Sequence, residues 1–136
     1  MQSKRDIRWK QRFENFERSY STFKRILKIE LPNEAEKMGL VQAFEIVFEL
    51  SWKTLKDYLT EQGYNEKSPR GVLKMAFQNE IIADGHVWLE ALESRNETTH
   101  TYDDKIATAL DLKIREIYAP AINELHSFLA KEYTDE

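Results

Sequence analysis

The chain has 136 residues, of which 41% are hydrophobic, 20 are Lys or Arg and 24 are Asp or Glu, for a net charge of −4. That is one domain's worth of sequence, residues 1–136, long enough to bury a core without covalent staples. It contains no cysteine, which excludes disulfides, thiolate catalysis and sulfur-ligated zinc and fits a reducing, cytoplasmic setting; no apolar run approaches a membrane span, and the first residues lead into no signal core.

Trp9, Phe13, Phe16, Tyr20, Phe23 and Leu27 recur at alternating spacings of four and three, the period of an amphipathic helix, and predict helix 1 over residues 6–29. The positive charge sits here. Lys4, Arg5, Arg8, Lys10, Arg12, Arg18, Lys24, Arg25 and Lys28 stand against Asp6, Glu14 and Glu17, a surplus of +6 that leaves −10 for the remainder of the chain. Such a face is either a contact for RNA or an acidic partner, or simply a solvated one. Leu31-Pro32-Asn33 is a turn in which Asn33 can cap the next helix and Glu36 holds the capping-box position. Helix 2 is predicted to run to about Gln62, ahead of Gly63. Leu40, Phe44, Val47, Phe48, Ser51, Trp52, Leu55 and Leu59 form its apolar stripe, and Ala43 and Leu50 widen it beyond what one neighbour needs.

Ser68-Pro69 reads as an N-cap followed by proline at the first helical position, opening a short helix 3 to about Asn79 with Val72, Leu73, Ala76 and Phe77 on its buried side. Residues 81–85 connect it to helix 4, from about His86 to Arg95, which buries Val87, Trp88, Leu89 and Leu92. Asp103 or Asp104 can start helix 5, whose Ile106, Leu110, Ile114, Ile117, Ala121, Leu125 and Phe128 form a heptad-like stripe. Pro120 inside that stripe predicts a kink near residues 116–120. No strand alternation or internal repeat interrupts the pattern. The expected class is all-α, an up-and-down helical bundle of three long and two short helices.

One stretch resembles chemistry more than packing: Arg95-Asn-Glu-Thr-Thr-His100-Thr-Tyr102. It sets a permanent cation, a group that titrates near neutrality and a phenol within eight residues. In an unbroken α-helix, positions five apart lie roughly 140° from each other. Asn96, Thr98 and Thr99 favour a helix end, and a break could turn Arg95 and His100 into one cleft. A guanidinium offers forked donors to a phosphate, and an imidazole can exchange a proton with a ribose 2′-hydroxyl or a leaving oxygen, which together suit metal-free RNA cleavage. The plainer alternative makes Arg95 and Glu97 solvated, His100 a cap and Tyr102 a core residue.

Other candidates are weaker. Glu45 and Glu49 share a helical face, yet Lys53 follows Glu49 at the favourable helix-pair spacing and no Glu-x-x-His accompanies them, so a solvated face is expected. His86 and His126 read as local residues. A glycine-rich phosphate loop and a Gly-x-Ser-x-Gly elbow are both missing from the sequence, and no cofactor or metal is expected.

Phe48-Glu-Leu-Ser-Trp-Lys-Thr-Leu-Lys-Asp-Tyr-Leu59, Ser68-Pro-Arg70, Ile81-Ile-Ala-Asp-Gly85 with Trp88, and Ser94 through Tyr102 together resemble the nucleotidyltransferase substrate-binding protein family, over about residues 8–130. That family belongs to the HEPN superfamily of helical bundles. The resemblance implies a partner, a separately encoded minimal nucleotidyltransferase, and carries two functions. In one, the chain is a non-catalytic subunit that binds the substrate or nucleotide of a two-component nucleotidyltransferase. In the other it is the toxin of a toxin-antitoxin pair, a metal-independent endoribonuclease in which Arg95, Asn96 and His100 are catalytic, and the partner silences it by transferring AMP to Tyr102. A homodimer would then juxtapose two motifs. A third, non-enzymatic reading has the motif hold the dimer and dock the partner, with Arg95 pairing to carboxylates.

Overall fold

The computed structural model describes residues 4–135, with side chains from residue 8 onward; the charges predicted at Lys4, Arg5 and Asp6 therefore lie outside the described side chains. The elements are α1 (Lys4–Leu27), α2 (Glu34–Glu61), α3 (Pro69–Gln78), α4 (Gly85–Ser94), a 3₁₀ segment (Arg95–His100), α5 (Asp104–Lys113), a π turn (Ile114–Tyr118) and α6 (Ala119–Thr134). The last three form one continuous rod. The all-α bundle of three long and two short helical rods is thus present, and the described residues include no strand.

The helix boundaries have local causes. Asn33 accepts the Glu36 N–H at 2.8 Å while the Glu36 carboxylate accepts the Asn33 N–H at 2.9 Å, a reciprocal cap of the kind that stabilises a helix by about 1 kcal/mol. Gly63, at φ 98, ends α2 in the left-handed region. Ser68 accepts from Gly71 N–H at the start of α3, and Asp84 and Asp103 cap α4 and α5. Arg115 reaches back to donate to the Leu27 carbonyl at 2.8 Å, satisfying one of the orphan acceptors at the end of α1.

Burial organises these rods around α2. Trp9, Phe13, Phe16, Tyr20 and Phe23 of α1 pack along it, and Arg12 donates to the buried Asp57 carboxylate at 2.8 Å, lashing the two together. The other faces of α2 meet α3, α5, α6 and the 3₁₀ segment, which is why its apolar stripe is so wide. Phe44 stacks on Tyr118 at 5.4 Å and Phe48 on Trp88 at 5.9 Å, so α2 fixes both elements that carry the Arg95–Tyr102 stretch.

Two predicted core positions are corrected. Phe77 is 50% exposed: α3 is short, and the ring lies over the start of α4, where even a Cβ on Gly85 would come within 3.0 Å of it. In the last rod, Ile117 is 38% exposed while Tyr118, Ile122 and Leu129 are buried. The Ala119 N–H bonds to the Ile114 carbonyl, five residues back. An α-helical Pro120 would press its ring on the Glu116 carbonyl and offers no N–H to it. The wider turn absorbs that conflict by inserting one residue, and the inward stripe takes Tyr118, Ile122 and Leu129 in place of Ile117, Ala121 and Phe128, while Leu125 keeps its place.

Candidate functional site

The α-helical geometry of α4 does end at Ser94, as the poor helix formers after it suggest, but the chain does not turn away. It continues as a 3₁₀ helix from Arg95 to His100. Three residues per turn place residues three apart on one edge, so Arg95 and Thr98 share the inner edge and Glu97 and His100 an outer one. Thr98 is buried and its hydroxyl donates to the Arg95 carbonyl at 2.8 Å. Asn96 and His100 are exposed.

Arg95 and His100 are therefore not gathered into one cleft within a single chain. In ideal 3₁₀ geometry, positions five apart lie roughly 10 Å from each other along the axis and about 120° around it. Arg95 points to α2, where it donates to Glu49. His100 faces outward, its Nδ1 3.3 Å from the hydroxyl of Tyr102. Tyr102 is 77% exposed, which rules out the core role.

Glu49 is the residue that sequence reasoning misplaced. It is half-buried, not on a solvated face. Besides Arg95 it accepts the indole N–H of Trp52 at 3.0 Å and lies 3.8 Å from the Lys53 ammonium. Lys53 was the visible signal; Arg95, 46 residues away, carried no periodicity that could announce it.

Behind the segment sits a second polar group. The Ser94 hydroxyl lies 2.8 Å from that of the buried Tyr118, which donates to Glu90 at 3.3 Å. A phenol has one proton, so Ser94 is the donor in the first contact. Burial, with Glu90 beside it, pushes the Tyr118 phenol above its usual range while the Ser94 bond acts against that, so the proton stays in place. Lys113 lies 3.7 Å from Glu90.

His126 belongs elsewhere, stacked on Tyr20 at 4.4 Å and beside Phe13 and Phe16. Burial lowers its pKa, against the opposing pull of Glu17 at 3.6 Å. His86 is exposed and lines a recess of about 390 Å³ with Leu73, Phe77, Gly85 and Leu89, away from the Arg95–Tyr102 stretch. Among the described residues no group of three or more His, Asp or Glu side chains is arranged to hold a metal ion, and no helix is long and apolar enough to cross a membrane.

The helical bundle thus carries Arg95 turned onto α2, and His100 and Tyr102 exposed, within one short stretch. The family model for nucleotidyltransferase substrate binding protein like chains matches residues 11–131, and the chain belongs to that family. It is 33% identical over 81 residues to a Haemophilus influenzae protein named probable ribonuclease HepT, and the match spans 56% of this chain and 56% of that protein. A Thermus thermophilus crystal structure superposes with a TM-score of 0.74 at 28% identity, over 88% of this chain and 98% of that one. A Haemophilus influenzae structure reported as the fold of a substrate binding domain of a nucleotidyltransferase has a TM-score of 0.64 at 23% identity, covering 92% and 98%, and shares the fold.

Proposed function

We propose that this chain is the helical subunit of a pair with a separately encoded minimal nucleotidyltransferase. In that pair it acts as a metal-independent endoribonuclease, the toxin of a toxin-antitoxin system, in the cytoplasm. The observation that carries this reading is the exposed His100 at the end of the 3₁₀ segment, with the Tyr102 hydroxyl 3.3 Å from its Nδ1. The likeness to a protein named probable ribonuclease HepT supports it.

In mechanism, His100 transfers a proton at the ribose 2′-hydroxyl or the leaving 5′-oxygen, and Arg95 stabilises the charge growing on the phosphoryl oxygens. Asn96, on the exposed edge, binds or orients the phosphate. One imidazole cannot easily serve both proton transfers, and one chain holds Arg95 apart from His100. A homodimer that sets two segments face to face supplies the second imidazole and closes the cleft. AMP transfer to Tyr102 adds bulk and negative charge beside His100, which opposes RNA phosphate.

The alternative, a non-catalytic subunit that binds substrate or nucleotide for the partner, is favoured by the family the chain belongs to. Co-expression with the partner decides between them. The toxin reading expects Tyr102 to carry AMP by mass spectrometry after exposure to ATP and magnesium, and expects the modified protein to lose the RNA cleavage that the unmodified protein shows. An unmodified Tyr102 in a complex that binds nucleotide, with intact RNA throughout, selects the binding subunit.

A further inference from the structure

The guanidinium assigned to transition-state charge is held by a group on a different helix. Glu49 lies near the middle of α2, accepts from Arg95, and is itself fixed by the Trp52 indole N–H and approached by the Lys53 ammonium. We infer that Glu49 is the positioning residue of the site, a carboxylate that clamps one edge of the Arg95 guanidinium and orients the fork for a substrate phosphate. The inference rests on the ribonuclease reading given above.

The chemistry favours this division of labour. Arg95 stands at the point where α4 gives way to the 3₁₀ segment, and about a third of its side chain is exposed. A long side chain there has many rotamers, and a loosely held donor stabilises developing charge poorly. A guanidinium carries five N–H donors in a rigid plane, so one edge can be given to a carboxylate while others remain for an anion. Trp52 is buried and its indole N–H reaches the same carboxylate, which stops Glu49 from following Arg95 outward. Lys53 adds a second cation beside the carboxylate, keeping the local charge from favouring Glu49 over phosphate.

Glu49→Gln in the whole chain, which keeps shape and removes charge, tests the inference with a single-stranded RNA oligonucleotide. The expected result is a fall in kcat of roughly 10- to 100-fold with KM within about threefold, since orientation is lost more than ground-state binding. In an Arg95→Ala background, Glu49→Gln should cost nothing further; a merely structural role for Glu49 would add its loss in both backgrounds. An unchanged or faster Glu49→Gln enzyme overturns the inference, the faster one by making the carboxylate a competitor of phosphate. Should wild-type protein leave RNA intact, the ribonuclease reading fails by itself, and the clamp is decided by nitrogen-15 NMR of the arginine side chains. Slow exchange of the Arg95 Nη1 protons, the donors to Glu49, in wild type that becomes fast in Glu49→Gln supports the clamp, and equal exchange in both overturns it.

Discussion

Removing the Tyr118 hydroxyl probes how the Arg95 segment is anchored. Tyr118 is 1% exposed, and its oxygen joins Ser94 at 2.8 Å to Glu90 at 3.3 Å. Tyr118→Phe keeps the ring stacked on Phe44 and deletes both bonds. Each normally contributes about 1 kcal/mol net, and Ser94, also buried, is left with a hydroxyl lacking its acceptor, a penalty of about 1–3 kcal/mol. The expected loss is roughly 1–3 kcal/mol, a fall in Tm of roughly 3–10 °C for a domain of this size. Urea unfolding followed by tryptophan fluorescence reads it, because Trp88 packs in the same region. Ser94→Ala combined with Tyr118→Phe should cost less than the two single changes added together, since the pair is then removed from both sides. Hydrogen exchange at the amides of residues 95–98 should quicken in the single variant. A Tyr118→Phe protein within about 0.3 kcal/mol of wild type, or costs that simply add, would refute the anchoring role.

Two further changes test other parts of the fold. His126 is held neutral by burial among Tyr20, Phe13 and Phe16, so its folded pKa lies below its unfolded value of about 6.5. Its contribution is fully present above that value and is lost as pH falls through it toward the folded pKa, because the unfolded chain binds the proton more tightly. Stability measured by urea from pH 7.5 to 5 should therefore fall more steeply in wild type than in His126→Gln; parallel curves would contradict the assignment. Glu80 adopts φ 59 after α3, a left-handed conformation that favours glycine. Glu80→Gly is expected to stabilise the protein by about 0.5–1 kcal/mol in thermal melts, and a loss of stability would mean that its side chain holds more than the backbone strain costs.

The bundle was legible because its signals are local or periodic. Asn33 with Glu36, Ser68 with Pro69, and Asp103 are caps spelled within four residues, and the stripes of α1 and α2 keep a regular period over many turns. The last rod shows where periodicity stops helping. Pro120 marked a conflict correctly, but the sequence alone does not say whether a helix answers by kinking or by inserting a residue, and the π turn exchanges Ile117 for Tyr118 in the core. Phe77 likewise has the right spacing for burial but lies at the end of a helix too short to cover it. At the site, the residue types were visible and their partners were not. Arg95, His100 and Tyr102 were recognisable from their order, whereas the Glu49 and Tyr118 contacts join residues 46 and 24 positions from their partners in the chain.

The most direct test of the ribonuclease reading is the product that purified, unmodified protein leaves on single-stranded RNA in the presence of a chelator. Fragments ending in a 2′,3′-cyclic phosphate are expected from wild type, with His100→Ala slower by roughly 10²- to 10⁴-fold while its helicity and melting temperature stay unchanged. Cleavage that disappears with chelator, or a folded His100→Ala protein that cleaves like wild type, would contradict it.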